Sequence, residues 1–246
     1  MLPSRRLISR EMRFYYDLHI HSCLSPCGDD DMTPCNIVGM AKLIGLDVIA
    51  ITDHNTCRNA PAVLGAAGKA GITALAGMEL TTSEDVHIVM LFPALENALE
   101  FNRYVDSKRM RVGNRSEIYG KQLILDENDS VIGEDDDLLI AATGIGVYDA
   151  QKLALDYGGV AIPAHIDREA NGLVAMLGAL DRDMGFAAVE FSPTASEEFR
   201  KKYTNEGYGF VRNSDAHRLE NISERENFIE LDKLTPEAII NRLRGK

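Results

Sequence analysis

The chain has six histidines, and each follows or lies within an apolar run. His19 and His21 stand two apart in FYYDLHIHS, His54 lies in ITDHN, His87 in EDVHIV, His165 in IPAHID and His217 in NSDAH. On a strand, a spacing of two puts both imidazoles on one face, roughly 6.6 to 7 Å apart along the chain. Two such rings can converge on one cation at the strand end, and neutral imidazole suits zinc, iron or manganese. Alone, an HxH is more often two partly exposed side chains. The carboxylates shift the balance: Asp53 precedes His54, Asp215 lies two before His217, and Glu79 ends ITALAGMEL. Hydrogen-bonded core histidines would account for one or two positions. Six at strand ends, with carboxylates beside them, point to a metal-binding cluster.

The elements that must position these side chains are strands alternating with helices. Phe14 to Ser22 reads as a buried strand, aromatic and aliphatic in turn. Thr33 and Pro34 read as N-cap and first position of a helix over about 35–44, which Gly45 ends. DVIAIT is the next strand, 60–70 a second helix ending at Gly71, and ITALAGMEL and DVHIVMLF the third and fourth strands. Residues 94–147 break the rhythm with a helical stretch over 94–110, a hairpin in KQLILDENDSVIG and an acidic run at EDDD. They are expected to form an insert over the rim, with substrate shaping or plain surface elaboration as its role. The pattern then resumes: helices over 148–157, 171–181, 195–203 and 235–244, and strands in GGVAIPAH, AAVEFS, GFVRNSDAH and NFIEL. Such alternation predicts a mostly parallel α/β sheet, and closing it into a barrel places the strand C-termini on one rim.

HIHS, ITDHN, GMEL followed eight residues after its Glu by His87, AHIDR and SDAH resemble, in this order, the motifs of the PHP (polymerase and histidinol phosphatase) family. The resemblance covers both ends of the chain and leaves the middle unmatched. It implies a distorted (β/α)7 barrel with two or three metals at the strand ends, here a single domain over 1–246 with the 94–147 insert. By this resemblance His19 and His21 with Asp215 hold one metal, and Glu79, His87 and His165 a second. His54 and His217 contribute to a third. Asp53 either ligates or takes part in catalysis by orienting His54. Many relatives carry a His or Asp five or six residues after HxH, where this chain has Pro26 and Cys27. Cys27, Asp29 or Asp30 from the SPCGDDD loop would then complete the third site, and Asp29 is favoured because three acids flank the Thr-Pro helix start. Arg168, three residues after His165, matches an Arg of relatives and can grip phosphate bidentately; an exposed loop salt bridge is the competing reading.

Phosphoester hydrolysis needs an acidified water, neutralisation of charge on the phosphoryl group and an anchor for its non-bridging oxygens. Mixed histidine and carboxylate ligands suit zinc, manganese or iron for that work. The expected activity is therefore a metal-dependent phosphoesterase on a small phosphorylated molecule, a nucleotide or a short oligonucleotide end. An amidohydrolase-type hydrolase is the alternative enzyme, although no Lys stands at an expected strand end to serve as its carboxylated bridge. A non-catalytic metal-binding module is the alternative from another class. The net charge of −12 argues against a tight, sequence-blind grip on duplex nucleic acid. Four clustered cysteines are too few to staple a secreted fold, which with the lack of an apolar signal core suggests a cytoplasmic setting. No apolar run approaches the ~20 residues of a membrane span. Residues 1–11, basic and ahead of Met12, are either an extension or a short arm.

Overall fold

The computed structural model describes residues 11–245, so the basic start of the chain lies almost entirely outside the described residues. Strands β1 (Met12–Ile20), β2 (Val48–Ile51) and β3 (Thr73–Thr81) run parallel. They are joined by helices α1 (Pro34–Ile44) and α2 (Ala60–Ala70). Thr33 caps α1 by accepting from Asn36 N, and Gly45 ends it at φ 86°, a left-handed conformation that glycine adopts without steric cost.

Strand β4 (His87–Phe92) departs from the expected parallel order. It pairs antiparallel with β3, and strand β7 (Val160–Pro163) pairs antiparallel with β4 in turn. The physical reason is the connection. Only residues 82–86 separate β3 from β4, far fewer than a parallel crossover requires. Between β4 and β7 lie helix α3 (Leu95–Asp106), the single turn α4 (Ser116–Tyr119), the hairpin of β5 (Leu123–Leu125) and β6 (Val131–Glu134), and helix α5 (Val147–Asp156). Asp126 fixes the hairpin turn by accepting from Asn128 N and Ser130 N.

Past β7, the helix expected over 171–181 shrinks to α6 (Leu173–Leu177), because Gly178 turns left-handed at φ 83°. Strand β8 (Ala188–Phe191), helix α7 (Glu197–Asn205) and strand β9 (Gly209–Arg212) form a separate parallel pair of strands with its crossover. Strand β10 (Phe228–Leu231) pairs antiparallel with β1, and helix α8 (Pro236–Leu243) closes the described chain.

The observed architecture is thus an α/β fold with a curled six-stranded sheet, ordered β10-β1-β2-β3-β4-β7, beside the β8-β9 pair. The α/β class is as expected, with a curled half-barrel sheet where a distorted (β/α)7 barrel was expected. Two seams lie between the sheets, and isolated bonds cross them. Ile166 N donates to Glu190 O at 3.0 Å, and His21 N donates to Ala216 O at 2.9 Å. Alternation along the strands divides the interior in two. Leu18, Val48, Leu75, Val89 and Ile162 share one core with Ile239 and Leu243 of α8. Ile49, Ile51, Met78 and Met90 pack in the other, under the helices.

Of the 94–147 segment, α3 packs into that second core. Phe101 is fully buried, its ring centroid 5.1 Å from that of Phe92. The chain beyond α3 lies against the rim, where Asn55 Nδ2 donates to Leu139 O and Ala141 O, and Thr143 N to Thr81 O.

Candidate metal centre

Each histidine is delivered by the end of a strand. β1 carries His19 and leads into His21, β2 runs into Asp53 and His54, and β3 carries Glu79. His87 opens the antiparallel β4, so its start meets the ends of the parallel strands. His165 follows β7, and Asp215 and His217 follow β9. His165 and Asp215 both adopt left-handed backbone, at φ 29° and 54°. Such strain in a non-glycine residue persists only where the surroundings over-determine it, and it clusters at functional sites.

Glu79 is the centre of the cluster. Its Oε1 lies 3.3 Å from His19 Nε2, 3.0 Å from His87 Nδ1 and 3.2 Å from His165 Nε2. Its Oε2 lies 3.3 Å from His21 Nε2 and 3.1 Å from His54 Nδ1. Asp215 Oδ1 approaches His19 Nε2 at 3.3 Å and His21 Nε2 at 3.1 Å. His217 stacks on His21, with ring centroids 4.2 Å apart.

Among the described residues, three overlapping groups have ligand atoms within 4.8 Å of one another: His19, His21, Glu79 and Asp215; His54, Glu79 and His87; and His21, His54 and His217. These groups differ from the sequence-based partition, and Glu79 also joins the first. His54 joins Glu79 and His87 where His165 was expected, and His21 stands in two groups. His165 remains beside Glu79 but belongs to none of the three.

The donor chemistry fits divalent metals. His54 Nδ1, His87 Nε2, His165 Nδ1 and Asp215 Oδ1 are buried and make no hydrogen bond among the described residues. Buried polar atoms are rarely left so. His54 Nδ1 sits 3.1 Å from Glu79 Oε2 without hydrogen-bond alignment, an arrangement that a shared cation would stabilise.

The electrostatics agree. Burial would raise the Glu79 carboxyl, but His87, His19 and His54 hold it well below its ordinary range. Asp215 is likewise depressed: burial opposes, while His19 and His21 prevail. Burial pushes His54 well below its usual value, with His21, His87 and His217 adding to the effect, and lowers His217 to about 4. Both rings therefore stay neutral and keep a lone pair at neutral pH. Burial lowers His19 and His21 too, but Glu190, Glu79 and Asp215 raise His19 well above the imidazole range, and Asp215 and Glu79 raise His21 to about 9. Protons compete for these two rings in the metal-free protein.

The other expected residues fall around this cluster. Asp53 lies outside the three groups. Its carboxylate accepts from Ser22 N, Ser22 Oγ and Ser25 Oγ. Ser25 Oγ is also 2.9 Å from His21 Nδ1 and accepts from His54 N. Asp53 thus reaches His21 through Ser25 rather than orienting the His54 ring. Asp29, expected to reach back to the third group, is exposed; its carboxylate accepts from Asp31 N, and its backbone N donates to His217 O. A tight turn after Ser22 steers the loop outward, and at Gly28 any Cβ would strike Ser22 O. Cys27 is exposed and, like Asp29, lies outside the groups. Arg168 Nη1 pairs with Asp215 Oδ2, and 41% of its side chain is exposed at the rim.

Sequence reasoning missed Ser25 and Glu190, the latter buried and 3.0 Å from His19 Nδ1. The signal for Glu190 was a lone carboxylate inside the apolar run AVEF.

Comparison with known proteins places this cluster. Residues 17–132 match the model of the PHP domain. An uncharacterised protein of Methanocaldococcus jannaschii is 37% identical over 84 residues, 31% of this chain and 48% of that protein. A 5′-3′ exoribonuclease of Haemophilus influenzae is 31% identical over 114 residues, 43% of this chain and 40% of that one. The matches thus span less than half the length of these relatives. The fold of endonuclease Q from Pyrococcus furiosus superposes with a TM-score of 0.71 at 19% identity, over 95% of this chain and 56% of that one. A further endonuclease Q structure holds a 27-mer duplex with an abasic lesion at its active site. With its motif residues gathered on one rim, this chain matches the PHP-domain model over residues 17–132, somewhat under half of its length.

Proposed function

We propose that the chain is a metal-dependent phosphoesterase that hydrolyses the phosphoester of a nucleotide or of an oligonucleotide end. The observation that carries this reading is the convergence of His19, His21, His54, His87, His165 and His217 with Glu79 and Asp215, four of whose atoms are buried without a hydrogen-bond partner. His19, His21, Glu79 and Asp215 would hold one metal, His54, Glu79 and His87 a second, and His21, His54 and His217 a third, with Glu79 bridging the first two. Divalent zinc, manganese or iron bound there supplies Lewis-acid charge to a phosphoryl group and acidifies water. The protein's own residues do the positioning. Glu79 keeps its negative charge among five histidines, so it balances cationic charge without taking up a proton. Arg168 presents a guanidinium beside Asp215, suited to grip non-bridging phosphate oxygens. The chain beyond α3, held to Asn55 and Thr81, walls the rim next to His54 and is assigned to substrate selection.

The nucleotide substrate class is supported by the similarity to the Haemophilus exoribonuclease. The exclusion of duplex substrates drawn from net charge lacks support, since the shared fold accommodates a duplex in endonuclease Q. Among the described residues no helix is long and apolar enough to cross a membrane. The test is a screen of metal-replete protein against 5′-phosphorylated oligonucleotides, nucleoside bisphosphates and histidinol phosphate, reading released phosphate and mononucleotide. Turnover of amide or lactone substrates with none of phosphoesters would favour the amidohydrolase-type alternative instead.

A further inference from the structure

Glu190 occupies a singular place in the fold. It lies on β8, at the seam between the curled sheet and the β8-β9 pair, and is 1% exposed. Its carboxylate faces groups from three other parts of the chain. His19 Nδ1 lies 3.0 Å from Oε1 and 3.1 Å from Oε2. His165 N donates to Oε1 at 3.1 Å, and Asn213 Nδ2 donates to Oε2 at 2.6 Å. Asn213 Oδ1 in turn accepts from Leu18 N at 2.8 Å, across the second seam. These side chains join β1 to the β8-β9 pair, and the end of β7 to β8, where no ladder runs among the described residues.

The contact with His19 has a chemical consequence. An ionised carboxylate only accepts, so His19 must present Nδ1–H to it. The other ring nitrogen, Nε2, is the atom that faces Glu79 and Asp215. A carboxylate behind an imidazole fixes the tautomer and the ring plane of a metal-ligating histidine. The same carboxylate holds the backbone of His165, which sits at φ 29°. We propose that Glu190 is the positioning residue of this centre: it fixes His19 with Nε2 toward the metals and ties the seams that bring His165 and Asp215 to the same rim.

The proposal rests on the metal-centre reading above, and the experiment separates the two. Wild type, Glu190→Gln and Glu190→Ala are titrated with cobalt(II) and zinc(II) by chelator competition, with the cobalt visible spectrum and far-UV circular dichroism recorded on each. Glu190→Gln keeps the shape but replaces one acceptor oxygen by a donor. The expected result is a natively folded Gln variant that binds metal about 10- to 100-fold more weakly, with an altered cobalt spectrum. Folded Gln variant with wild-type affinity and spectrum overturns the proposal alone. Wild type that binds no metal overturns the metal-centre reading and the proposal with it. A second measurement does not depend on the variants folding: in zinc-loaded wild type labelled with nitrogen-15 at histidine, His19 should carry its proton on Nδ1. A proton on Nε2 overturns the assignment.

Discussion

Arg168 Nη1 lies 2.5 Å from Asp215 Oδ2, while Asp215 Oδ1 faces the imidazoles of His19 and His21. One carboxylate thereby divides its oxygens between a rim guanidinium and the histidine cluster. The arrangement is the loop salt bridge that was one expectation for Arg168, and it leaves the proposed phosphate grip possible, because a guanidinium offers five N–H groups and this pairing uses few of them.

Arg168→Ala is expected to raise KM on the best phosphoester substrate about tenfold or more while leaving metal content unchanged, and Arg168→Lys to recover only part of that loss. Steady-state kinetics alongside elemental analysis decide it. Wild-type KM in the alanine variant would remove the anchoring role, and loss of metal would reassign Arg168 to holding Asp215.

Protein prepared without chelator should carry two to three transition-metal ions per chain. Glu79→Gln, which removes the one charge shared by five histidines, should bring that number below one and abolish hydrolysis. Elemental analysis of both proteins is the check. A variant that retains its full metal complement would show that Glu79 serves hydrogen bonding only.

Ser25→Ala leaves His21 Nδ1 and His54 N without their shared hydroxyl. It should cost about tenfold or more in metal affinity, in line with other partners that orient ligating histidines. Cys27→Ser, two residues on and exposed, should stay close to wild type. Equal effects of the two substitutions would point to general damage to the loop rather than a role for Ser25.

Arg109 and Asp135 form a buried bidentate pair beyond α3, at 2.9 and 3.1 Å, joined by Arg58 at 3.0 Å. Burial would raise the Asp135 carboxyl, but Arg109 and Arg58 bring it below its ordinary range. A depressed carboxyl contributes stability above its unfolded pKa and loses it as pH falls through the folded one. Arg109→Ala should therefore destabilise by about 3 kcal/mol at pH 7, with the gap to wild type narrowing in more acid solution. Urea midpoints from pH 7 down to about pH 2.5 test this, and a gap that widens as pH falls would contradict it.

The histidine and carboxylate cluster was legible because these residues at the ends of apolar runs leave few structural alternatives. His54 and Glu79 announce themselves in that way. The direction of β4 was not read, since an alternating pattern looks the same in both directions, although the brevity of 82–86 held the answer. Alternation likewise cannot show where a barrel seam opens, so the interruption on either side of β8-β9 came only from the structure. Asp29 misled because three consecutive acids near a helix start look available, whereas the turn at Gly28 directs them to solvent. Ser25 left no mark, because a serine in a polar loop has many uses.

The bonds across the seams also order events in time. His19 meets Glu190 across 171 residues of chain, and Leu18 meets Asn213 across 195. On a ribosome, the first two histidines emerge long before the residues that orient them, and Asp215 is among the last parts of the site to appear. The entropy of closing so long a loop grows only logarithmically with length, so the delay is kinetic far more than thermodynamic. A nascent chain stalled before β8 would hold most of the curled sheet yet lack both Glu190 and Asp215. Of the three groups found among the described residues, that of His54, Glu79 and His87 alone would then be complete.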